Sequence, residues 1–186
     1  LRIETVRKPI IIEKLVRLLA LQSGNEVSYN ELAQKLEVSR QTIMQYVQLL
    51  EQAFIIFRLP PLARNKRDEV TRFEKIFFFD VGIRNALVDN FLPLNVRMDK
   101  GALFENFFIS ERQKQYQRLG NHTHPHFWRT KDGSEIDLVE ETHNVLDAFE
   151  CKWSETPIKT RAWKNSFPET VVTQVTSKNI TDILIK

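Results

Sequence analysis

The fold predicted for this chain depends on Gly133-Ser134-Glu135-Ile136-Asp137 and Phe149-Glu150-Cys151-Lys152. The hydrophobic pattern predicts one strand over residues 134–141 and a second over residues 145–153, with a polar break between them. Side chains alternate along a strand, so Glu150 and Lys152 are expected on one face and Cys151 on the other. The two stretches therefore bring carboxylates and a lysine together on neighbouring apolar strands.

A short loop between these strands would set their register. If His143 and Asn144 form a two-residue turn, Asp137 lies directly opposite Glu150. Two like charges at such a position destabilise a sheet by a few tenths of a kcal/mol to about one. A divalent cation would reverse that sign, and Mg²⁺ suits one or two carboxylates plus a substrate phosphate. Lys152 could then orient or activate a water, or neutralise charge on the phosphate.

The alternative interpretation of these charges is simpler. Exposed acidic and basic residues are ordinary on the polar face of an amphipathic hairpin. The preceding segment favours a site, because a helix is predicted from Gly101 to about Gln117 with an apolar stripe at residues 103, 104, 107 and 108. Glu105 lies at the margin of that stripe, where it could lean over the sheet edge.

The order of predicted elements resembles the αβββαβ core of the PD-(D/E)XK nuclease superfamily, which includes many restriction endonucleases. The elements are a helix from residue 101, strands over 126–130, 134–141 and 145–153, a helix over about 158–167 and a strand over 170–176. In this resemblance Glu105 matches the helical acidic position and Asp137 the metal-binding aspartate. Glu150 and Lys152 match the (D/E)-X-K element. The resemblance implies that Asp137 and Glu150 hold Mg²⁺ and that all four residues serve phosphodiester hydrolysis.

A narrower resemblance covers the chain from about Leu50 onward. Three of its segments are similar to the domain of unknown function that follows the ATPase module in many bacterial and archaeal AAA+ proteins: residues 101–106, 127–129 and 133–137. The chain starts with Leu1 and has no Gly-X4-Gly-Lys-Ser/Thr phosphate loop. The resemblance therefore implies a fragment whose ATP would bind in a missing upstream domain, and an oligomer formed through that ATPase. The apolar run at residues 180–186 is interpreted as strand-like, and the chain as cut there too.

Composition indicates an ordinary globular protein. The chain has 186 residues, 42% hydrophobic and 27% charged, enough for one large core or two small ones. Its apolar runs are too short to span a bilayer, so no membrane partner is expected. A single cysteine, Cys151, excludes an internal disulfide and favours a reducing cytoplasm. The net charge of +3 and pI near 9.0 permit nucleic-acid binding without requiring it.

The first third of the sequence predicts a helical unit. Pro9 begins one helix, Ser28 opens a second through a capping box, and Ser39 caps a third. The last two helices are similar to the helix-turn-helix of prokaryotic winged-helix domains, with strands at residues 54–58 and 75–79 for the wing. In such domains the third helix enters the major groove. The candidate base readers are therefore Arg40, Gln41, Thr42 and Gln45, and the candidate phosphate contacts are Arg64, Lys66 and Arg67.

The combined prediction is an α/β (α+β) chain with two domains. Residues 1–80 form a winged helix-turn-helix domain, and residues 81–186 form a restriction-endonuclease-like αβββαβ domain. The predicted function is a DNA-associated, Mg²⁺-dependent nuclease site in the C-terminal part of a AAA+ ATPase. One alternative is a non-catalytic module that binds DNA or protein to regulate or target the ATPase. Another is a plain transcription regulator, which would require the second domain to bind an effector.

Overall fold

The computed structural model describes residues 9–62, 73–120 and 123–185 as a mixed α/β fold with two sheets. Its helices are α1 Pro9–Leu21, α2 Tyr29–Leu36, α3 Arg40–Gln52, α4 Val81–Leu87, α5 Lys100–Leu119, α6 Arg161–Ser166 and α7 Ile180–Ile185. Its strands are β1 Glu26–Val27, β2 Ile56–Leu59, β3 Glu74–Phe78, β4 Thr123–Arg129, β5 Glu135–Thr142, β6 Val145–Cys151 and β7 Val172–Val175. No helix in these ranges is both long and apolar enough to cross a membrane.

The two sheets are joined by main-chain hydrogen bonds. The first has the order β1-β3-β2 and is antiparallel, whereas the second has the order β4-β5-β6-β7, with β7 parallel to β6. Immediately after β2, Leu62 donates its N–H to the carbonyl of Phe127 in β4 at 2.6 Å. Phe127 in turn donates to the carbonyl of Pro60 at 3.0 Å. The segment after β2 therefore runs beside the first strand of the second sheet.

Two predicted helix starts are confirmed by their caps. The Ser28 hydroxyl accepts a hydrogen bond from the Glu31 N–H at 3.3 Å, and the Ser39 hydroxyl accepts from the Thr42 N–H at 3.1 Å. Each cap satisfies an N–H group that has no partner inside its helix. The three N-terminal helices pack on one face of the first sheet around a core that includes Leu15, Leu19, Leu32, Ile43, Val47, Ile56, Ile76 and Phe78.

Strand β3, in the phenylalanine-rich segment, is buried on both faces. Ile76 and Phe78 belong to the N-terminal core, while Phe77 points the opposite way into a second core. That second core lies under α5 and the second sheet, and includes Phe57, Leu59, Phe104, Phe108, Phe127, Leu138 and Phe149. Side chains on both sides of residue 80 therefore share one apolar cluster. The division of the chain into 1–80 and 81–186 stays a prediction.

A third cluster covers the other face of the second sheet. Trp163 of α6 is fully buried there, with its ring 5.2 Å from that of Trp128 in a T-shaped arrangement. Ile136, Val139 and Ala148 complete the cluster. The second sheet is thus covered on one face by α5 and on the other by the short helix α6.

The strand-like interpretation of residues 180–186 was wrong. Residues 180–185 form helix α7, and Ile180, Ile183 and Leu184 pack against the second core. Their spacing of three and then one places them on one face of a helix, whereas a strand would direct neighbouring residues to opposite faces. The i, i+3, i+4 pattern was present in the sequence and should have decided the assignment.

Candidate active site

The site begins where β5 and β6 separate. The two-residue turn at His143 and Asn144 forms as predicted, with φ angles of 50° and 65°. The strands pair from Thr142 with Val145 up to Leu138 with Phe149, which is the predicted register. The pairing stops there, so the pair of Asp137 with Glu150 that the prediction placed directly opposite one another is not among the paired residues. The Asp137 carboxylate instead accepts a hydrogen bond from the Cys151 N–H at 2.7 Å.

A β-bulge explains this separation. On β4, His126 faces Val139 and Trp128 faces Ile136, so two residues of β5 lie opposite the single Phe127. The extra residue belongs to the Asp137-Leu138 pair. A bulge bends its strand and redirects side chains, and bulges are frequent beside active sites. Here the bulge lies at the position where the buried carboxylate of Asp137 meets the end of β6.

Glu150 and Lys152 lie on the same side of their chain segment, as alternation predicted. The Lys152 ammonium donates to Glu150 Oε1 at 2.7 Å. The other carboxylate oxygen, Glu150 Oε2, is buried and has no hydrogen-bond partner in the described part of the chain. The Lys152 side chain is 40% exposed, so its charge is accessible from solvent. Glu150 therefore offers one oxygen that a ligand could use.

Glu105 is held by a lysine that sequence reasoning missed. Lys75 of β3 donates to Glu105 Oε1 at 3.2 Å and forms an ion pair with Glu135. The Lys75 side chain is only 3% exposed. A lysine within an apolar strand is seldom buried unless it is paired with an acid, and this signal could have identified it. A residue of the N-terminal half thus belongs to the carboxylate cluster, the group formed by Glu105, Glu135, Asp137 and Glu150.

The neighbour of Glu105 fixes α5 to β3. Asn106 is fully buried, and its amide donates to the Phe78 carbonyl at 2.7 Å and accepts from the Phe78 N–H at 3.0 Å. The Ser23 hydroxyl also donates to Asn106 Oδ1, at 2.7 Å. Gly24, with a φ of +82°, lies so close that a Cβ there would be 3.4 Å from Glu105 Oε2. The Asn106 amide therefore sets the position of Glu105 relative to the first sheet.

Burial and repulsion between neighbouring carboxylates raise the pKa values of acids in this cluster. Burial, with repulsion from Asp137, raises the pKa of Glu105 to about 8 against the opposing effect of Lys75. Burial also raises the pKa of Asp137, although Lys75 and the Cys151 N–H counteract it. For Glu150, burial and then the charge of Asp137 raise the pKa. Each of the three acids therefore holds its proton to a higher pH than a solvent-exposed carboxyl group does.

The two lysines remain protonated. Burial lowers the pKa of Lys75, but attraction to Glu105, Glu135 and Asp137 outweighs this and the net shift is upward. For Lys152, burial again opposes ionisation, while the hydrogen bond to Glu150 raises the pKa above its usual range. Lys152 is therefore a cation at neutral pH and is suited to stabilising negative charge rather than to removing protons.

The residues fit a divalent cation with few protein ligands. In the described ranges no group of three or more His, Cys, Asp or Glu side chains could hold a metal ion. Mg²⁺ does not require such a group, since it commonly binds one or two carboxylates and retains several waters. The free Glu150 Oε2 and the raised pKa values of Asp137 and Glu150 are consistent with such a cation.

The predicted nucleic-acid contacts lie elsewhere. Arg40, Gln41 and Gln45 are exposed on α3, on the side away from its core. Thr42 is half-buried, and its hydroxyl is within hydrogen-bond distance of the Ser39 hydroxyl at 2.9 Å. The other three candidates, Arg64, Lys66 and Arg67, lie outside the described residues. The exposed surface of α3 is thus rich in amides and carries one arginine near its start.

The raised pKa of Glu105 predicts how stability changes with pH. The folded chain holds this proton up to about pH 8, whereas the unfolded chain releases it near pH 4.5. Between these values the folded state binds more protons, so the free energy of unfolding should fall as pH rises, by roughly 2–4 kcal/mol. Urea denaturation in EDTA at several pH values between 5 and 8.5 measures this. Glu105→Gln should reduce the slope, and Glu111→Gln on the same helix should leave it unchanged.

Two family models match the chain. Residues 1–95 match the family described as "Domain of unknown function (DUF8612)", and residues 100–174 match that described as "Domain of unknown function (DUF4143)". The carboxylate cluster receives Lys75 from the first region and its acids from the second. No solved structure matches the chain.

Relatives among curated proteins are themselves uncharacterised. "Uncharacterized protein Mb2031c" of Mycobacterium bovis and "Uncharacterized protein Rv2008c" of Mycobacterium tuberculosis are each 29% identical over 151 residues, covering 80% of this chain and 33% of each relative. "Uncharacterized protein MJ1637" of Methanocaldococcus jannaschii is 35% identical over 74 residues, covering 40% of this chain and 15% of that protein. The chain thus spans about a third of the length of the mycobacterial relatives.

Proposed function

Since the chain belongs to the family described as the domain of unknown function DUF8612, we propose a function from the chemistry of its carboxylate cluster. The cluster is a Mg²⁺-dependent nuclease site that hydrolyses phosphodiester bonds of DNA. The observation that best supports this proposal is the Glu150 carboxylate: one oxygen accepts a hydrogen bond from Lys152, and the other is buried without a partner among the described residues. The charge of Asp137 also contributes to the raised pKa of Glu105 and of Glu150.

The order of elements supports this proposal. Helix α5, strands β4 to β6, helix α6 and strand β7 follow one another in the αβββαβ order of PD-(D/E)XK nucleases. The bulge at Asp137 and the end of the pairing between β5 and β6 occur at the same position, beside the acids of the proposed site. In the N-terminal half, the order α1-β1-α2-α3-β2-β3 supports the winged-helix interpretation.

Each side chain has a distinct role in the proposed site. Asp137 and Glu150 would hold Mg²⁺, which when bound supplies Lewis-acid polarisation of a phosphoryl oxygen. The Lys152 ammonium would stabilise charge that develops on the phosphate, since it is protonated and open to solvent. Glu105, whose position is fixed by Lys75, would orient a water by accepting its hydrogen bond.

The DNA itself would be engaged by the N-terminal half. Arg40, Gln41 and Gln45 are exposed at the start of α3, where side chains can reach base edges in a major groove. Thr42 would contact DNA only if its hydrogen bond with Ser39 were shared. The longer mycobacterial relatives leave room for the AAA+ module that the sequence resemblance implies. In such a protein ATP would bind to that module, and oligomer formation would occur through it.

The decisive experiment measures cleavage and metal binding together. Plasmid and single-stranded DNA are incubated with Mg²⁺ or Mn²⁺ and with the wild type, Asp137→Ala or Lys152→Ala. The wild type is expected to cleave DNA, and the two variants are not. The control variants Asp147→Ala and Lys178→Ala, at exposed positions, should cleave as the wild type does. Titration calorimetry should show a Mn²⁺ site that Asp137→Ala weakens at least tenfold, because metal affinity depends on each of few ligands. Cleavage that ignores both substitutions would refute the proposal.

A second candidate function is favoured by one specific observation. The Lys75 ammonium already pairs with Glu105 and Glu135, so part of the acidic charge is neutralised without any metal. In this case the chain is a non-catalytic module that regulates or targets the linked ATPase by binding DNA or protein. Absence of both metal binding and cleavage, also in the full-length relative, would support this alternative.

A further inference from the structure

A cleft lies next to the carboxylate cluster, on the α6 side of the second sheet. Its volume is about 780 Å³. Its lining combines the apolar residues Ile158 and Ala162 with the polar and basic residues Ser134, Lys159, Thr160, Arg161, Lys164 and Asn165. The mechanism proposed above uses none of these residues.

The cations of this cleft are unneutralised. Lys159, Arg161 and Lys164 are exposed, and within the described ranges none of them forms an ion pair. Two other exposed lysines differ in this respect, since Lys35 pairs with Glu31 and Lys178 with Glu155. Three cations within six residues, without acidic partners, create a local positive potential that favours an anion.

The cations are carried on a fixed support. Trp163, between Arg161 and Lys164, is fully buried and stacks on Phe167 at 4.3 Å. Its contact with Trp128 anchors α6 to the sheet. Arg161 and Lys164 are therefore carried on a helix that the core holds against the sheet, whereas Lys159 lies two residues before that helix.

The position of the cleft relates it to the acidic site. Ser134 lines the cleft and directly precedes β5, three residues before Asp137, an extended span of about 10 Å at 3.3 Å per residue. Four carboxyl groups against the two ammonium groups of Lys75 and Lys152 give the cluster a negative charge when all are ionised. Such a charge repels a polyanion, and cations beside it are needed to retain one.

We propose that this cleft binds the sugar-phosphate backbone of a nucleic-acid strand and directs it toward Asp137 and Glu150. The inference is based on the proposed nuclease function and names the surface that holds its substrate. The contacts are to phosphate, so binding is independent of base sequence. The helix α3 reads bases separately, at a different surface.

The test is a binding measurement without metal, which separates the cleft from catalysis. Fluorescence anisotropy in EDTA compares single-stranded and duplex DNA binding to the wild type and to Lys159→Gln/Arg161→Gln/Lys164→Gln. The control Lys14→Gln/Lys35→Gln/Lys114→Gln removes the same charge elsewhere. The cleft variant is expected to bind at least tenfold more weakly, with a salt dependence reduced by about two to three phosphate contacts. Equal affinity of the cleft variant and the control would overturn the inference.

A fluorophore attached at the cleft tests the inference without the triple variant, so the result does not depend on how that variant folds. Cys151 is buried, so a cysteine introduced by Asn165→Cys is the reactive thiol and accepts a fluorophore at the cleft. Its emission should change on addition of DNA, whereas a fluorophore at Lys14→Cys should not respond. An RNA of the same sequence tests whether the cleft distinguishes the sugar. No response at position 165 refutes the inference even if cleavage occurs, and a response without cleavage refutes only the nuclease proposal.

Discussion

Replacing Lys75 by methionine is expected to lower the free energy of unfolding by about 3–5 kcal/mol at pH 8. Methionine has a similar length, so the loss comes from charge rather than from a cavity. Without the ammonium, Glu105 and Glu135 lose their shared cation, and Asp137 loses an attraction that opposes its raised pKa. A buried charge left without its partner is among the few causes of such a large effect. Urea denaturation followed by circular dichroism measures it.

Two further conditions identify the cause of the Lys75 effect. At pH 5, where Glu105 is protonated, the loss should be smaller, because one acid no longer needs a counter-charge. The double variant Lys75→Met/Glu105→Gln should be more stable than the single variant, since it removes a charge together with its partner. Lys35→Met, which breaks an exposed ion pair with Glu31, should cost less than about 1 kcal/mol. A Lys75→Met loss no larger than this control would contradict the role given to Lys75.

Asn106→Leu is expected to destabilise the chain by a similar amount, about 3–5 kcal/mol. The asparagine amide satisfies both main-chain groups of Phe78 and accepts from Ser23. Leucine has nearly the same size but leaves a buried N–H and a buried carbonyl without partners. Each unsatisfied group costs on the order of 1–3 kcal/mol.

Two further substitutions test the role of the Asn106 amide. Asn30→Leu, at an exposed helical position, should change stability by no more than about 0.5 kcal/mol. Ser23→Ala removes one of the three hydrogen bonds and should cost about 1 kcal/mol. Amide exchange at Phe78 should also accelerate in Asn106→Leu, because its N–H loses an acceptor. Stability equal to that of Asn30→Leu would show that the amide pairing is dispensable.

Local chemistry made much of the fold predictable. Ser28 and Ser39 mark helix starts because a hydroxyl can accept from an N–H that the helix leaves free. The turn at His143 and Asn144 followed from its length, and the register followed from the turn. The C-terminal helix was missed because a short apolar run was interpreted by its hydrophobicity instead of its spacing.

The candidate site was less predictable, since it depends on contacts between distant segments. The hydrogen bond from the Cys151 N–H to the Asp137 carboxylate occurs beside the bulge opposite Phe127, which no local sequence pattern predicts. Lys75 is separated from Glu105 by 30 residues along the chain, and only folding makes them neighbours. Asn106 lies within the segment 101–106, but the sequence alone does not show its role, because that role is to form hydrogen bonds with the main chain of a distant strand.

The hydrogen bonds from Asn106 to Phe78 have a consequence for chimeric proteins. A chimera that takes its first 95 residues from one relative and the remainder from another would join β3 to a foreign α5. The amide at position 106, the hydroxyl at 23 and the lysine at 75 would then have to match across the junction. A chimera is therefore expected to fold well only when both halves come from the same relative.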